Sequence, residues 1–317
     1  MSTEGGTKAI IAALLANLGI AVSKFVAFLI TRSSSMLAES IHSLADSGNQ
    51  LLLLVGGRRA SREATPEHPF GYGRQRYVYA FIVSIVLFSV GGLFALYEAF
   101  HKWEHPEPFE GNEGWVAVAV LVVAIGLESF SFRTAIRESN HTRGRRTWVE
   151  FVRTSKSPEL PVVLLEDLAA LLGLVFALLG VGLTIFTDDG HWDAVGTALI
   201  GLLLVAVAAV LAVEMNSLLI GEAATREDVA AIEKALVGPG VSRVIHMKTL
   251  HLGPEELLVA AKIAVAATET ADHVAEAIDA AEARVRAAVP IARVIYLEPD
   301  IDRTPASTVS PTEAAIS

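Results

Sequence analysis

Six apolar runs, each about twenty residues long or more, decide what this chain can become. They cover roughly Ala9–Ile30, Met36–Val55, Tyr77–Phe100, Trp115–Ile136, Leu160–Phe186 and Ala194–Leu219. A run of that length crosses the hydrocarbon of a bilayer as a single helix, because backbone amides in lipid must be paired within their own segment. Hydrophobic residues make up 52% of the 317, as expected of a multi-span membrane protein. The sequence therefore predicts an α-helical membrane protein with six transmembrane helices in residues 1–221. The lipid bilayer is its first partner.

Loop charge sets the orientation. Arg58, Arg59, Arg62, Arg74 and Arg76 follow the second run, and Arg137, Arg143, Arg145, Arg146, Arg153 and Lys156 follow the fourth. The opposite loops carry only Arg32 and Lys102 among many acids. Basic residues concentrate on the cytoplasmic side, so both termini are expected there. The start, MSTEGGTKA, has neither a basic leader nor a small-residue cleavage site, so no removable signal peptide is expected. The expected location is the cell (inner) membrane.

From about Glu222 the continuous apolar runs give way to amphipathic ones. Thr225-Arg-Glu-Asp228 reads as an N-cap with acidic first-turn residues, opening a helix to Leu236. Val241–Leu252 and Leu257–Val265 read as strands around Gly253-Pro254, Asp272–Ala288 as a helix and Ala292–Leu297 as a last strand. Residues 222–302 thus form a small α+β domain. The Thr, Ser, Pro and Ala-rich tail, 303–317, is expected to be disordered.

Polar residues inside the apolar runs carry the chemistry. In the second run, Glu39, His42, Asp46 and Asn49 fall on one helical stripe. His42 and Asp46, one turn apart, can address the same ion or bond to neighbouring helices. Titratable groups at such depth are costly unless paired, and they mark transport pathways. The fifth run opens Pro161-Val-Val-Leu-Leu-Glu166-Asp167. Adjacent residues on a helix diverge by about 100°, so the two carboxylates aim at different neighbours. Asp167 is the better ligand, beside the small residues Ala169, Ala170 and Gly173, and Glu166 is a supporting group, proton site or alternative ligand. Zero cysteines exclude disulfides, thiolate ligands and thiol catalysis. A net charge of −10 argues against a nucleic-acid partner. There is no GxxxxGK[ST] loop to take ATP, and no HExxH or nucleophile motif for a membrane hydrolase.

Three stretches together resemble the cation diffusion facilitator family: Ser34-Ser-Met-Leu-Ala-Glu-Ser-Ile-His42-Ser-Leu-Ala-Asp46, His68-Pro-Phe-Gly-Tyr-Gly-Arg74, and Glu166-Asp167. The fifth run is similar to the branch containing the mitochondrial zinc exporters. The resemblance implies a cytoplasmic ferredoxin-like domain, a homodimer, and a metal/proton antiporter that exports divalent cations by alternating access, with no enzyme activity and no cofactor. It also implies a tetrahedral site from two residues on span 2 and two on span 5. His42 and Asp46 match the first pair and Asp167 matches the last position, but the remaining position falls on Val163, which cannot ligate. Glu166, Glu39 or water would complete the shell, with Glu39 and Asn49 as possible supporting residues. One imidazole with carboxylates suits zinc, and Mn, Fe or Co is the alternative substrate. A channel or a metallohydrolase is the rival class.

Two other sites of the family read as degraded. The loop keeps His68, beside Glu67, but has Tyr72 where some members place a second histidine. In the cytoplasmic domain His251 would face Lys262, a cation that opposes metal, with His246 and Glu255 nearby. Dimerisation is the expected role of that domain.

Overall fold

A computed structural model describes residues 2–31, 34–106 and 112–301, with the side chains of residues 2–5, 30–42 and Ala45 outside the described set. The chain divides into two compact units between Gly221 and Glu222, and among the described residues eight α-helices form the first. They are α1 (Ser2–Thr31), α2 (Ser34–Ala60), α3 (Gln75–Val86), α4 (Phe94–Glu104), α5 (Glu113–Arg143), α6 (Trp148–Thr154), α7 (Glu159–Thr187) and α8 (His191–Ile220). A π-helical segment, Leu87–Leu93, joins α3 to α4 in one continuous rod.

Among the described residues five helices are long and apolar enough to cross a membrane: Gly6–Leu29, Gln75–Glu104, Glu113–Arg143, Glu159–Thr187 and His191–Ile220. The chain is thus a multi-pass membrane protein. The second expected span, α2, is 27 residues long but is not among the five. Its acids, amides and terminal arginines dilute the apolar run. Large apolar side chains stand on the outer faces of the rods, including Leu15 and Val22 on α1, Phe130 on α5 and Val213 on α8. In water such faces would drive aggregation, whereas in lipid they are the solvated surface.

The helices close around a polar centre. α1 packs against α2, α5 and α7, and α5 packs against α7. α8 lies against α7 and along α3, the π segment and α4. Lipid tails are as apolar as leucine, so close backbone approach rather than apolar burial holds such contacts. At the α7–α8 crossing, a Cβ on Gly180 would stand 2.9 Å from the Trp192 carbonyl oxygen, and one on Gly196 would stand 2.9 Å from that of Phe176. No side chain fits either position. Near one end of the bundle Arg76 pairs with Glu159 at 3.2 Å, and the buried Tyr77 donates its hydroxyl to the Lys156 carbonyl at 3.2 Å. Near the other end Lys102 pairs with Asp193 at 2.9 Å.

Short α6 is absent from the sequence reading. Thr147 caps it: its hydroxyl accepts from the Glu150 amide at 3.2 Å, and the Glu150 carboxylate accepts from the Thr147 amide at 3.3 Å. Pro161 is tolerated in the first turn of α7, where its missing N–H has no helical acceptor.

The second unit starts with α9 (Arg226–Leu236), capped by Thr225. Then come β1 (Arg243–Gly253), β2 (Glu256–Val265), α10 (Ala271–Ala288) and β3 (Ala292–Ile301). The sheet order is β1-β2-β3, with β1 antiparallel and β3 parallel to β2. The parallel pair needs a crossover, and α10 supplies it, burying Ala277, Ala281 and Val285 against Leu257, Val259 and Ile263. Among the described residues the sheet has three strands.

Candidate functional site

The polar centre is built from α1, α2, α5 and α7. Asn49 and Gln50 are buried on α2. The Asn49 Nδ2 donates to Glu166 Oε1 on α7 at 3.0 Å, and Asn17 Nδ2 on α1 donates to Gln50 Oε1 at 3.3 Å. Gln50 also faces the Glu166 carboxylate, yet its Nε2 and Glu166 Oε2 both lack a hydrogen-bond partner of ordinary geometry. One residue further along α7, Asp167 turns to another helix. Its Oδ2 accepts from the Ser131 hydroxyl on α5 at 2.6 Å. The 100° step between neighbours thus separates the two carboxylates, Glu166 toward α2 and Asp167 toward α5.

Beside Ser131, one turn away on the same face of α5, lies Glu128. Its side chain is 2% exposed, lies within hydrogen-bonding reach of Asp167 and feels the charges of Asp46 and Glu166. Its Oε2 has no partner. Three carboxyl groups, Glu128, Glu166 and Asp167, are therefore buried near one another, and the half-buried Asp46 on α2 acts on Glu128 and Glu166 through its charge. Carboxyls in contact away from water repel unless a proton or a cation lies between them. Asn49 Oδ1, Gln50 Nε2, Glu128 Oε2 and Glu166 Oε2 are all buried without a partner. Each such atom costs about 1–3 kcal/mol, and their concentration here marks a place prepared for something else. Among the described residues no three His, Asp or Glu side chains stand close enough to grip a metal ion as they are.

The sequence-predicted residues fall out as follows. Asp46, Asn49, Glu166 and Asp167 lie in this region. The side chains of His42 and Glu39 lie outside the described residues. Val163 is fully buried on α7. Glu128 was missed, although a single acid in the middle of an apolar run is the same signal that singled out Glu166.

The two secondary sites differ from expectation in one respect. His68 is exposed in its loop and meets the Tyr72 ring edge-on, with centroids 4.6 Å apart. Glu67 is held below its ordinary carboxylate range by its own backbone amide and then by the Thr65 hydroxyl. In the second unit, His251 pairs across the sheet with Leu257, and Lys262 pairs with His246. The expected facing of His251 and Lys262 is therefore wrong. The cause is the register counted from the tight turn at Pro254-Glu255. His251 is buried, while Lys262 reaches Glu298 at 2.8 Å and Asp300 at 3.5 Å on β3.

A helix bundle that exposes apolar faces all round and buries carboxylates at its centre belongs to the class of ion-handling membrane proteins. Comparison with known families narrows the class. The cation efflux transmembrane domain matches residues 10–220, and the chain belongs to that family, the cation diffusion facilitators. It is 32% identical over 265 residues to the proton-coupled zinc antiporter SLC30A9, mitochondrial, of Xenopus laevis, covering 83% of this chain and 47% of that protein. The Homo sapiens protein of the same name is 31% identical over 253 residues, 79% of this chain and 44% of its own length. Metal tolerance protein C4 of Arabidopsis thaliana is 26% identical over 266 residues, 83% of this chain and 58% of that protein. The chain spans about half the length of the curated relatives it matches.

Proposed function

We propose that the protein exports a divalent cation, zinc in the first place, in exchange for protons by alternating access. One observation carries this reading: Glu128 on α5 and Glu166 on α7 are buried near Asp167 and within the field of Asp46 on α2, each with one oxygen that lacks a hydrogen-bond partner. His42, Asp46 and Asp167 are the ligands, with Glu166 as alternative ligand or support and Glu39 and Asn49 behind them. An imidazole nitrogen among carboxylate oxygens suits tetrahedral zinc; an all-oxygen set would favour manganese. Ligands must shed protons to bind a metal, so cation and proton exclude each other at one place, which is the chemical basis of exchange. The names of the SLC30A9 relatives support the same pairing of zinc with protons.

The reading includes α2 as the sixth span, since its 27 residues suffice and it packs against α1 and α3 with Asn49 and Gln50 buried. Both termini then lie on the basic, cytoplasmic side of the cell's inner membrane. The second unit is a ferredoxin-like dimerisation domain, so the working form is a homodimer. Membership of the family supports transport rather than hydrolysis, and a proton-independent channel is the surviving rival. Purified protein in liposomes, loaded with a zinc dye and a pH dye, decides between them. Zinc entry must move protons the opposite way and must follow an imposed pH gradient. Zinc entry without proton movement would make the protein a channel and end this proposal.

A further inference from the structure

The family's site takes two residues from the second span and two from the fifth, and here one of those four positions is Val163, which offers no donor. The buried neighbourhood of Asp167, one turn further along α7, contains a carboxylate that this pattern does not include. Glu128 comes from α5, a helix outside the two that the pattern uses. It is 2% exposed, so no bulk water serves its unpartnered Oε2. It touches the Asp167 carboxyl and feels the charge of Asp46 on α2. Glu166, the other candidate, is turned toward α2 and engaged by Asn49 through Oε1.

We infer that Glu128 is a metal ligand, a carboxylate from α5 that joins Asp46 and Asp167 and stands in for the donor lost at Val163. This rests on the transport-site reading above and adds a third helix to it. The geometry explains why a valine is tolerated on α7: the missing donor is supplied across the α5–α7 contact, where Ser131 already anchors Asp167. A ligand on α5 also ties the cation to a helix packed on α1 and α7, so loading and unloading involve α5 as well as α2 and α7.

Affinity alone does not separate a ligand from a residue that supports one, because loss of either costs about 10–100-fold. The test is therefore zinc X-ray absorption on full-length protein in detergent, which counts imidazoles bound to the metal. Glu128→His should keep zinc bound and raise the count by one over wild type. Glu128→Gln, with an unchanged melting profile, should lose zinc affinity by about a hundredfold, while Asp167→Asn loses at least as much. An unchanged imidazole count in Glu128→His with zinc bound would overturn the assignment. So would wild-type affinity in Glu128→Gln, or an unaltered wild-type-like zinc shell in any Glu128→Gln that still binds. If Glu128→His fails to bind zinc, the Glu128→Gln affinity and shell decide alone. If Asp167→Asn and Glu128→Gln both bind normally, the underlying site reading has failed; if only Glu128→Gln does, that reading stands without Glu128 as a ligand.

Discussion

Replacing Ser131 by alanine deletes one hydroxyl from the wall of the site and leaves the backbone alone. That hydroxyl donates to Asp167 Oδ2 at 2.6 Å, and Ser131 is 0% exposed, so no solvent water steps in when it goes. A hydrogen bond to a charged group contributes about 1.5–3 kcal/mol. If Asp167 holds the cation through its other oxygen, that bond fixes the carboxylate plane, and its loss should weaken zinc binding by about 10–100-fold, the usual effect of an outer partner. At about 1.4 kcal/mol per factor of ten the two figures agree. Ser131→Thr keeps the donor but adds a methyl in a full site, costing about 1–3 kcal/mol of stability with little effect on affinity. Dye-competition titration of zinc in detergent, beside thermal melts of both variants, measures the two quantities separately. Affinity within twofold of wild type in Ser131→Ala, or equal loss in Ser131→Thr, would refute the placement of Asp167 at the metal.

The remaining predictions concern the same site and the second unit. Glu166→Gln should slow zinc flux less than Asp167→Asn does; complete loss of flux together with zinc binding would make Glu166 a ligand. His42→Asp should cut the preference for zinc over manganese by about tenfold, or about 1.4 kcal/mol, read from paired fluxes at one pH, and an unchanged ratio would remove His42 from the metal. Lys262 is raised above its ordinary value, first by its hydrogen bond to Glu298 and then by the charges of Glu298 and Asp300. A raised folded value means the contribution is complete below the unfolded value near 10.5 and fades as pH climbs through the folded one. Melts of the full chain should therefore lose stability above about pH 10.5 more steeply in wild type than in Lys262→Met; identical slopes would show the ion pairs to be inert. His251→Ala should leave zinc stoichiometry unchanged, and removing residues after Glu222 should weaken the proposed dimer, both tested by native mass spectrometry; loss of one zinc per chain in His251→Ala would contradict it.

Much of this architecture is legible in the chain, for reasons that differ by element. The apolar runs mark their rods because length against bilayer thickness leaves few alternatives. The divergence of Glu166 and Asp167 follows from helical geometry alone, and the structure sends them to α2 and α5. Glu128 was readable in the same way, a lone acid at mid-run with Ser131 one turn on, but only the α5–α7 packing reveals that it meets Asp167. The helix α6 had a signature in Thr147 and Glu150 that fits a capping box. The pairing of His251 could not be had from strand patterns, since a short turn fixes the register and one residue of slip changes every partner. The π segment at Leu87–Leu93 has only Gly91-Gly92 as a hint, and Gly92 packs where a Cβ would stand 2.7 Å from Val205.

Zinc movement into proteoliposomes driven by an imposed pH gradient, measured side by side for wild type, Asp46→Asn and Asp167→Asn, tests the central claim most directly. The wild type should accumulate zinc in proportion to the gradient and release protons as it does so. Both variants, matched for insertion and melting temperature, should fall to the rate of empty vesicles, because each removes a charge that the cation replaces a proton on. Gradient-driven zinc accumulation at the wild-type rate in both variants would contradict the account: the cation would then cross by a route that avoids the carboxylates between α2, α5 and α7.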